Sequence, residues 1–402
     1  MLQRLGSIAA AGLLALGAAV PAVAQQPEPP AWAQGRTGAQ ANSPLAPHAP
    51  RLTATPVERI PVNNIRLPEG FRAELWASGM PGARMMTRGE DGTIYVGTRT
   101  IGRVYAVKDE GGTRRSRILA QRLAQPNGLA VRDGALYVVA LHQVLRFDNI
   151  ATTEEPKPVD LTAAFNLPTE AHHGWKFAAF GPDGKLYMNI GAPCNVCEVD
   201  ESRHAVILRF NPDGTGREVV ARGIRNSVGF DWRPGSGTLY ASNNGRDWAG
   251  NDSPQDTLHR LDRMGEHHGF PYCSGDAWQD PGHKGRQCSE FPRPVALLGP
   301  HTAPLGMRFY DGTMFPEAYR GRAFIARHGS WNRDSKTGFD VVTVRLNEDG
   351  STGTMEPFMT GLLDEAAGTF TGRPTDVLVM PDGALLVSDE DNGAIYRVSY
   401  AR

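Results

Sequence analysis

A short phrase recurs along this chain: an Asp-Gly turn followed at once by a run in which apolar residues alternate. Clear copies stand at 91–96, 133–138, 182–187 and 381–387, and a degenerate copy at 234–240. The glycine supplies the positive φ that a tight hairpin turn needs, and the alternating run fits a strand with one buried face. The phrase therefore predicts repeated antiparallel hairpins, and long helical periodicity is absent from the chain.

The spacing of these turns indicates the kind of repeat. Gly92, Gly134, Gly184 and Gly237 are 42, 50 and 53 residues apart, which is the interval between propeller blades. Apolar phrases also precede and follow several of the turns, so each unit reads as a small antiparallel meander. The region 61–402 has room for six such units. We predict an all-β fold, a six-bladed β-propeller of four-stranded antiparallel blades.

The N-terminus is typical of an exported protein. Arg4 precedes an apolar run, and an Ala-x-Ala cleavage pattern ends at Ala24. We predict a signal peptide over 1–24, a flexible Pro- and Ala-rich arm over 25–60 and the propeller over 61–402. No later window is long enough to cross a bilayer, so the mature chain is expected to be soluble, without a membrane span, and periplasmic or secreted.

The charge balance excludes one class of partner. The chain has 42 Lys and Arg residues against 43 Asp and Glu residues, a formal net charge of -1. Such a balance leaves no broad basic surface for phosphates, so we predict that nucleic acid is not a partner. The sequence also has no G-x-S-x-G, Walker A or H-E-x-x-H motif, which disfavours the common hydrolase and nucleotide-binding classes.

The four cysteines form two local pairs in the sequence. Cys194 and Cys197 make a C-x-x-C that is followed by Glu198, so the motif is not a haem attachment site. Cys273 and Cys288 lie in a later Gly-rich stretch. An exported chain favours two disulfides, one within each pair. A single structural metal site is the alternative that remains open.

The irregular stretches between hairpins carry the candidate functional residues, because propeller loops on one face build the site. His172 and His173 lie just before the third turn, and a near-neutral imidazole pKa suits proton abstraction. Arg225 and Asn226 stand at the next blade entrance and offer a guanidinium fork beside an amide. A structural role is the alternative interpretation for each of them.

Three further features extend this candidate set. Arg327 and Arg373 stand at later blade entrances, from which they could converge with Arg225 on one face. The stretch 242–253 is dense in Asn, Asp and Gly, and such oxygen-rich loops bind hard cations such as calcium. The same composition also occurs in ordinary turns, so the calcium interpretation remains open at this point.

Taken together, these residues resemble the glucose/sorbosone dehydrogenase family, six-bladed propellers that use pyrroloquinoline quinone (PQQ). The resemblance rests on the run 173–187, which begins His-Gly-Trp-Lys-Phe and ends Gly-Pro-Asp-Gly-Lys-Leu-Tyr, and on Gly-Ile-Arg-Asn at 223–226. It covers about 65–402. The sequence is most similar to the L-sorbosone dehydrogenase-like branch, because Gly-Ala-Pro-Cys-Asn-Val-Cys at 191–197 has that branch's style.

The resemblance implies roles for individual residues. His173 would be the catalytic base, and Arg225 would stabilise negative charge on the reduced quinone. Asn226 would contact the cofactor beside Arg225. The backbone carbonyls of Gly245 and Arg246 would hold a calcium ion, although the family has Pro where this chain has Arg246.

It further implies cofactor contacts by Arg327 and Arg373, and by Gln125 where the alignment is poor. Thr375 stands where the family has a second Arg, a departure that bears on cofactor binding or on the substrate. Three arginines would together offset the charge of the three PQQ carboxylates.

The implied activity is oxidation of an aldose or a sugar aldehyde, with hydride passing to PQQ and Ca²⁺ acting as a Lewis acid. Because the chain has no haem motif, electrons would leave to an external acceptor, a cytochrome or the quinone pool. A calcium-dependent lactonase-type hydrolase on a similar propeller is one alternative, with Asp247, Asp252 and Asn244 as metal ligands. A non-catalytic binding propeller is the other, since fold alone does not decide function.

Overall fold

The computed structural model describes residues 29–401 and confirms the predicted all-β propeller. Within that range, six blades of four antiparallel strands follow one another along the chain as blades I to VI, and the short strand Glu266–His267 adds a fifth, parallel strand to blade III. The described range contains one α-helix, α1 (Thr162–Phe165). The predicted signal peptide, 1–24, lies outside the described residues.

Blades I to III are built from successive stretches of chain. The strands of blade I are β2 to β5: Met86–Arg88, Ile94–Val96, Arg103–Glu110 and Thr113–Gln121. Those of blade II are β6 to β9: Gly128–Arg132, Ala135–Val139, Val144–Phe147 and Pro158–Asp160. Those of blade III are β10 to β13: Ala178–Phe180, Leu186–Ile190, Val206–Phe210 and Glu218–Arg222.

Blades IV and V continue the pattern, with insertions. The strands of blade IV are β14, β15, β16 and β20: Phe230–Trp232, Leu239–Asn243, Gln255–Leu261 and Ala296–Pro300. Those of blade V are β21 to β24: Pro304–Phe309, Ala323–Arg327, Asp340–Leu346 and Gly353–Met359. The short inserted strands are β17 (Glu266–His267), β18 (Cys273–Ser274), β19 (Trp278–Gln279), β25 (Leu363–Asp364) and β26 (Thr369–Phe370). The 3-10 helices are Ala31–Ala33, Gly38–Gln40, Val57–Arg59, Val62–Asn64, Cys288–Glu290 and Glu317–Tyr319.

Blade VI closes the ring by joining the two ends of the propeller. Its inner strands are β27 (Pro374–Val379), β28 (Leu385–Asp389) and β29 (Ala394–Tyr400). Its outer strand is β1 (Phe71–Ala77), which pairs with β29 in antiparallel register. This pairing covers the outer edge of β29, so the last strand does not present free backbone groups to another chain.

The recurring Asp-Gly phrases form the turns between the first and second strands of five blades. The turn glycines have φ between +68° and +86°, a conformation that a residue with a side chain adopts at a cost: Gly92, Gly134, Gly184, Gly237 and Gly383. Blade V differs, because a longer connection with the 3-10 helix Glu317–Tyr319 joins β21 to β22. The hairpin signal in the sequence therefore located five of the six blades.

The apolar core lies between adjacent blades. In one cluster, Phe324 and Phe358 of blade V pack with Val377 and Val387 of blade VI. Buried carboxylates add polar links at the centre: Asp376 of blade VI accepts the Met86 N–H of blade I at 2.8 Å. Burial raises the pKa of Asp376 to about 6. Packing and hydrogen bonds thus hold the inner strands together, so the loops above them start from fixed positions.

The segment 29–60, here called the N-terminal arm, lies across the same face as the candidate loops. Thr37 Oγ1 donates to the Trp248 carbonyl at 2.8 Å, and the Thr55 N–H donates to the Asn392 carbonyl at 3.1 Å. The sequence interpretation of a flexible arm gave no reason to expect this placement. These contacts join residues far apart in the chain, and no local pattern encodes them.

Candidate active site

A cavity of about 390 Å³ opens where the blade loops converge on one face of the propeller. Its walls come mainly from two kinds of loop: those that precede the first strand of a blade and those that join the second strand to the third. His173 and Arg225 belong to the first kind, and Gly245 and His328 to the second. The cavity therefore gathers residues that the sequence placed at equivalent points of separate blades.

His173 is held in the form that a general base requires. Its Nδ1 lies 2.8 Å from the Ala192 carbonyl, which fixes the proton on Nδ1 and leaves Nε2 free to accept one. Burial, helped by the neighbouring His172 and by Arg225, holds the pKa of His173 well below its usual range. The ring is therefore neutral at pH 7, and among residues 29–401 no group hydrogen-bonds Nε2.

The local backbone explains why His173 can take this position. The residue has a φ of +49°, and a Cβ placed on Gly191 would come within 2.4 Å of the His173 Cβ. Beneath it, the buried Lys176 donates from Nζ to the Gly174 carbonyl at 2.5 Å, and burial lowers the Lys176 pKa to about 7. The absence of a side chain at Gly191 thus leaves room for His173, and the Lys176 hydrogen bond holds the loop that carries it.

Arg225 is buried and tied to the same side of the cavity. Its guanidinium donates to Asp247 Oδ2 at 2.9 Å and to the Asn195 side-chain oxygen at 2.9 Å, and its Nε donates to the Asn195 carbonyl at 2.8 Å. Asn195 is fully buried inside the loop closed by the Cys194–Cys197 disulfide. The position of Arg225 is therefore set before any ligand arrives.

Both disulfides predicted from the sequence are present. Cys194 pairs with Cys197 and Cys273 pairs with Cys288, so the four sulfurs form no metal site.

Asn226 presents an unsatisfied polar atom at the cavity wall. Its Oδ1 is buried and has no hydrogen-bond partner in the described structure, while its backbone N–H donates to Asn243 Oδ1 at 3.1 Å. His172 Nε2 and Trp175 Nε1, also on the wall, are buried and unpartnered as well. Buried polar atoms are almost always satisfied, so these three atoms on one cavity wall are available to hydrogen-bond a ligand.

The predicted calcium loop also borders the cavity. Gly245 lies on the wall, and in the described part of the chain neither its carbonyl nor that of Arg246 accepts a hydrogen bond. The Arg246 side chain leaves the cavity to pair with Asp280 at 2.7 Å, both being almost fully buried. The departure from the family's Pro is therefore compatible with a carbonyl ligand, and both carbonyls are available to a cation.

The side chains suggested for a lactonase-type metal site do not converge. Asp252 is 82% exposed and pairs with Arg333, whereas Asp247 pairs with the buried Arg225. The Asn244 amide nitrogen donates to backbone carbonyls at 2.8 and 3.0 Å. Residues 29–401 contain no cluster of three His, Cys, Asp or Glu side chains suited to a metal. The geometry thus disfavours the hydrolase alternative.

Of the remaining predicted contacts, the structure brings Arg373 into the cavity and leaves Arg327 and Gln125 off its wall. Arg327 ends β22 opposite Asp340 of β23, and its guanidinium binds that carboxylate at 2.5 and 2.7 Å. The expectation that Arg327 contacts the cofactor is therefore not supported, because the chain turns toward the cavity one residue later, at His328. Gln125 reaches only the carbonyl of the wall residue Ala171, at 3.5 Å.

Two arginines that the sequence interpretation missed line the opposite side. Arg84 donates to Glu390 at 2.6 Å and to Asn127 at 2.8 Å. The Arg99 guanidinium lies 4.3 Å from the centroid of the Trp175 ring. The sequence did contain a signal that would have placed both arginines at the cavity. Arg84 precedes the first strand of blade I, and Arg99 follows its second strand. These are the same positions that Arg225 and Gly245 occupy in blade IV.

The N-terminal arm supplies another part of the wall that no motif predicted. Trp32 and His48 both line the cavity. The Trp32 ring meets the Trp331 ring edge-on, with centroids 5.9 Å apart.

Comparisons with known proteins agree with this architecture. A family model described as TrAA12-like matches residues 275–401. An uncharacterized protein of Borreliella burgdorferi is 32% identical over 355 residues, which cover 85% of this chain and 92% of that protein. A PQQ-dependent pyranose dehydrogenase of Coprinopsis cinerea is 44% identical over 52 residues, only 13% of this chain and 6% of the relative.

Solved structures extend the likeness over most of the chain. The PQQ domain of the Coprinopsis cinerea pyranose dehydrogenase has a TM-score of 0.68 at 21% identity and covers 83% of this chain and 97% of that one. A calcium structure of an AA12 enzyme from Trichoderma reesei has a TM-score of 0.67 at 18% identity, with coverages of 84% and 97%. The placement in the sorbosone branch stays a prediction. The chain belongs to one family with the Borreliella protein, and its fold is a six-bladed β-propeller similar to the two solved structures described above.

Proposed function

We propose that this protein is a PQQ-dependent oxidoreductase that oxidises an aldose or a sugar aldehyde and passes the electrons to an external acceptor. The observation that carries the proposal is His173, a neutral imidazole with a free Nε2 at the wall of a cavity that also holds Arg225 and Asn226. A base and a fixed cation beside one cavity are what removal of a hydroxyl proton with a hydride requires.

The charge on the cavity wall fits the three carboxylates of PQQ. Arg84, Arg99 and Arg373 line one side, where Glu390 is the acidic partner. Burial lowers the pKa of Arg373 to about 10, so this guanidinium remains charged at pH 7. These arginines would hold the carboxylates through charge-assisted hydrogen bonds.

Thr375, which stands where the family has a second Arg, does not weaken the case for PQQ binding. Thr375 is buried, and its hydroxyl donates to the Arg373 carbonyl at 3.2 Å rather than facing the cavity. Arg84 and Arg99 supply positive charge that an Arg at this position would have offered. The departure from the family pattern therefore gives no support to a non-catalytic propeller.

When bound, PQQ would accept the hydride from the substrate carbon, and a calcium ion on the Gly245 and Arg246 carbonyls would polarise the quinone. His173 Nε2 takes the proton of the substrate hydroxyl, while the Ala192 carbonyl keeps the ring in the required tautomer. Arg225, held by Asp247 and Asn195, presents fixed positive charge where negative charge develops. Because His173 and Arg225 are buried, solvent screens their charges and dipoles less, which strengthens these interactions.

The proposed location is the periplasm or the exterior, with a cytochrome or the quinone pool as acceptor. The two disulfides fit an oxidising compartment. No helix among the described residues is long and apolar enough to cross a membrane.

Dye-coupled turnover tests the proposal. Protein loaded with PQQ and calcium is expected to reduce an artificial acceptor with some members of a panel of aldoses and sugar aldehydes. The variant His173→Gln should bind PQQ but lose turnover, because glutamine keeps the bulk and lacks the base. Absence of dye reduction with every substrate, together with calcium-dependent lactone hydrolysis, would contradict the proposal.

A further inference from the structure

We propose that the N-terminal arm is part of the substrate site. In this inference Trp32 is a stacking surface, and the arm restricts the cavity to a single small sugar or sugar aldehyde. The inference rests on the proposed function for the reaction, and it assigns the substrate contact to a segment outside the propeller.

The first line of evidence is the shared cavity. Ala31, Trp32, Pro47 and His48 of the arm line the same cavity as His173. Trp32 is only half-buried although it packs edge-on against Trp331, so part of its surface remains open to the cavity. A flat apolar ring at a cavity wall is a good surface for the C–H face of a sugar.

The arm is fixed in place around Trp32. The buried Trp248 donates from Nε1 to the Trp32 carbonyl at 2.6 Å, and the buried Asn195 donates to the Gln34 carbonyl at 2.9 Å. The Arg36 guanidinium lies 4.2 Å from the centroid of the Trp248 ring. Asn195 also positions Arg225, so the arm and the proposed active site share one anchor.

A second anchor holds the far end of this stretch. His48 Nε2 lies 3.1 Å from the Ser330 carbonyl, and its ring meets Phe370 edge-on at 4.9 Å. Gln40 is buried between the two anchors and donates to the Asn332 carbonyl at 3.1 Å. The stretch from Trp32 to His48 is thus pinned along the rim of the cavity rather than at one point.

This placement limits what can enter. A cavity of about 390 Å³ is at the small end for ligand sites, and the cofactor and the substrate would have to share it. A sugar unit inside a longer chain would have to displace the arm, whereas one monosaccharide or small aldehyde would not. The inferred substrate class is therefore a free monosaccharide or sugar aldehyde.

The test compares Trp32→Ala with Leu52→Ala, an arm variant at a side chain that is 67% exposed. For a monosaccharide substrate, Trp32→Ala should raise KM about threefold to tenfold through loss of one aromatic contact and leave kcat within about twofold. The kcat/KM ratio of the matching disaccharide to the monosaccharide should rise. Trp32→Phe should restore most of the affinity, and Leu52→Ala should behave as the parent protein.

A second readout does not depend on turnover. Sugar added to the calcium-loaded protein should change its tryptophan fluorescence saturably, and this change should be reduced in Trp32→Ala. If the parent protein oxidises sugars and Trp32→Ala alters neither KM nor the disaccharide ratio, the inference is wrong and the proposed function stands. If the parent protein has no turnover, the proposed function fails. In that case a saturable fluorescence change that requires Trp32 supports the sugar site. The absence of any fluorescence change overturns it.

Discussion

The two sides of the cavity differ in how the chain builds them. The side formed by blades III and IV carries His173, Arg225 and Asn226, and each lies in a contiguous motif. The opposite side joins Arg84 of blade I to Glu390 of blade VI, and the N-terminal arm runs along the rim from its anchor at Asn195. Local sequence therefore encodes the first side, whereas only the closed ring of blades brings the second together.

The two sides also differ in charge. On the blade III and IV side, Arg225 is balanced by Asp247. On the other side Arg84, Arg99 and Arg373 lie near Glu390, and the neighbouring Asp391 pairs with Arg51. Burial alone would raise the pKa of Glu390, but Arg84, His328 and Arg99 hold it well below its usual range. The excess of positive charge suits the anionic part of a ligand, and the balanced side suits the reacting part.

The largest expected effect belongs to the first side. The variant His173→Ala should lower kcat by about 10²- to 10⁴-fold, because a positioned base contributes that much to proton transfer. PQQ affinity and thermal stability should change little, since the ring makes one side-chain hydrogen bond. Single-turnover kinetics with dye measure the first quantity, and an absorbance titration measures the second. Turnover that survives the substitution would contradict the role of His173.

Arg225→Ala should be the most destabilising change on the same side. It leaves Asp247 partly buried without its cation, a loss of about 3–5 kcal/mol when a buried pair is broken. Urea unfolding measures the change in the free energy of unfolding. The double variant Arg225→Ala with Asp247→Ala should recover part of the loss, and a double variant no more stable than the single one would argue against this ion pair.

Arg99→Ala sharpens the comparison, because Arg99 has no acidic hydrogen-bond partner among the described residues. It should lower PQQ affinity by about tenfold to 100-fold, the range for a hydrogen bond to a charged group, with little effect on unfolding. Arg327→Ala is the matched control: it removes a guanidinium bound to Asp340, so it should lower stability and leave PQQ affinity unchanged. Equal losses of affinity in both variants would contradict the assignment of the two arginines.

The smallest expected effect is in the pH profile. Burial holds the pKa of His173 well below 6.5, so the neutral, proton-accepting form persists as the pH falls. We expect kcat/KM to stay nearly constant from pH 8 to pH 6.5, where an ordinary histidine would already be half protonated. Stopped-flow measurements across this range give kcat/KM. A twofold fall in kcat/KM by pH 6.5 would show that the pKa of His173 is not lowered.

The fold was largely readable from the sequence because five of the six blades begin with a local hairpin signal. Blade V has Asp311-Gly312 between β21 and β22, but a longer connection with a 3-10 helix stands there instead of a tight turn. His173, Arg225 and Asn226 were predictable because they stand at blade entrances within recognisable phrases. Arg373, which also lines the cavity, stands at such an entrance as well.

The rest of the site depends on side-chain directions and on contacts between residues distant in the chain, which a sequence pattern does not contain. Arg327 was assigned to the cavity, but strand pairing directs its side chain to Asp340. Arg84 and Trp32 reach the cavity through contacts with residues that are distant in the chain, Glu390 and Trp248 respectively. Only the assembled propeller makes such contacts visible.

The most direct test of the central claim is an absorbance titration of the calcium-loaded protein with PQQ. We predict saturable binding of about one PQQ per chain, weakened in Arg99→Ala and Arg373→Ala but not in Arg327→Ala. An absence of saturable binding at micromolar PQQ would contradict the account, as would equal binding by all three variants.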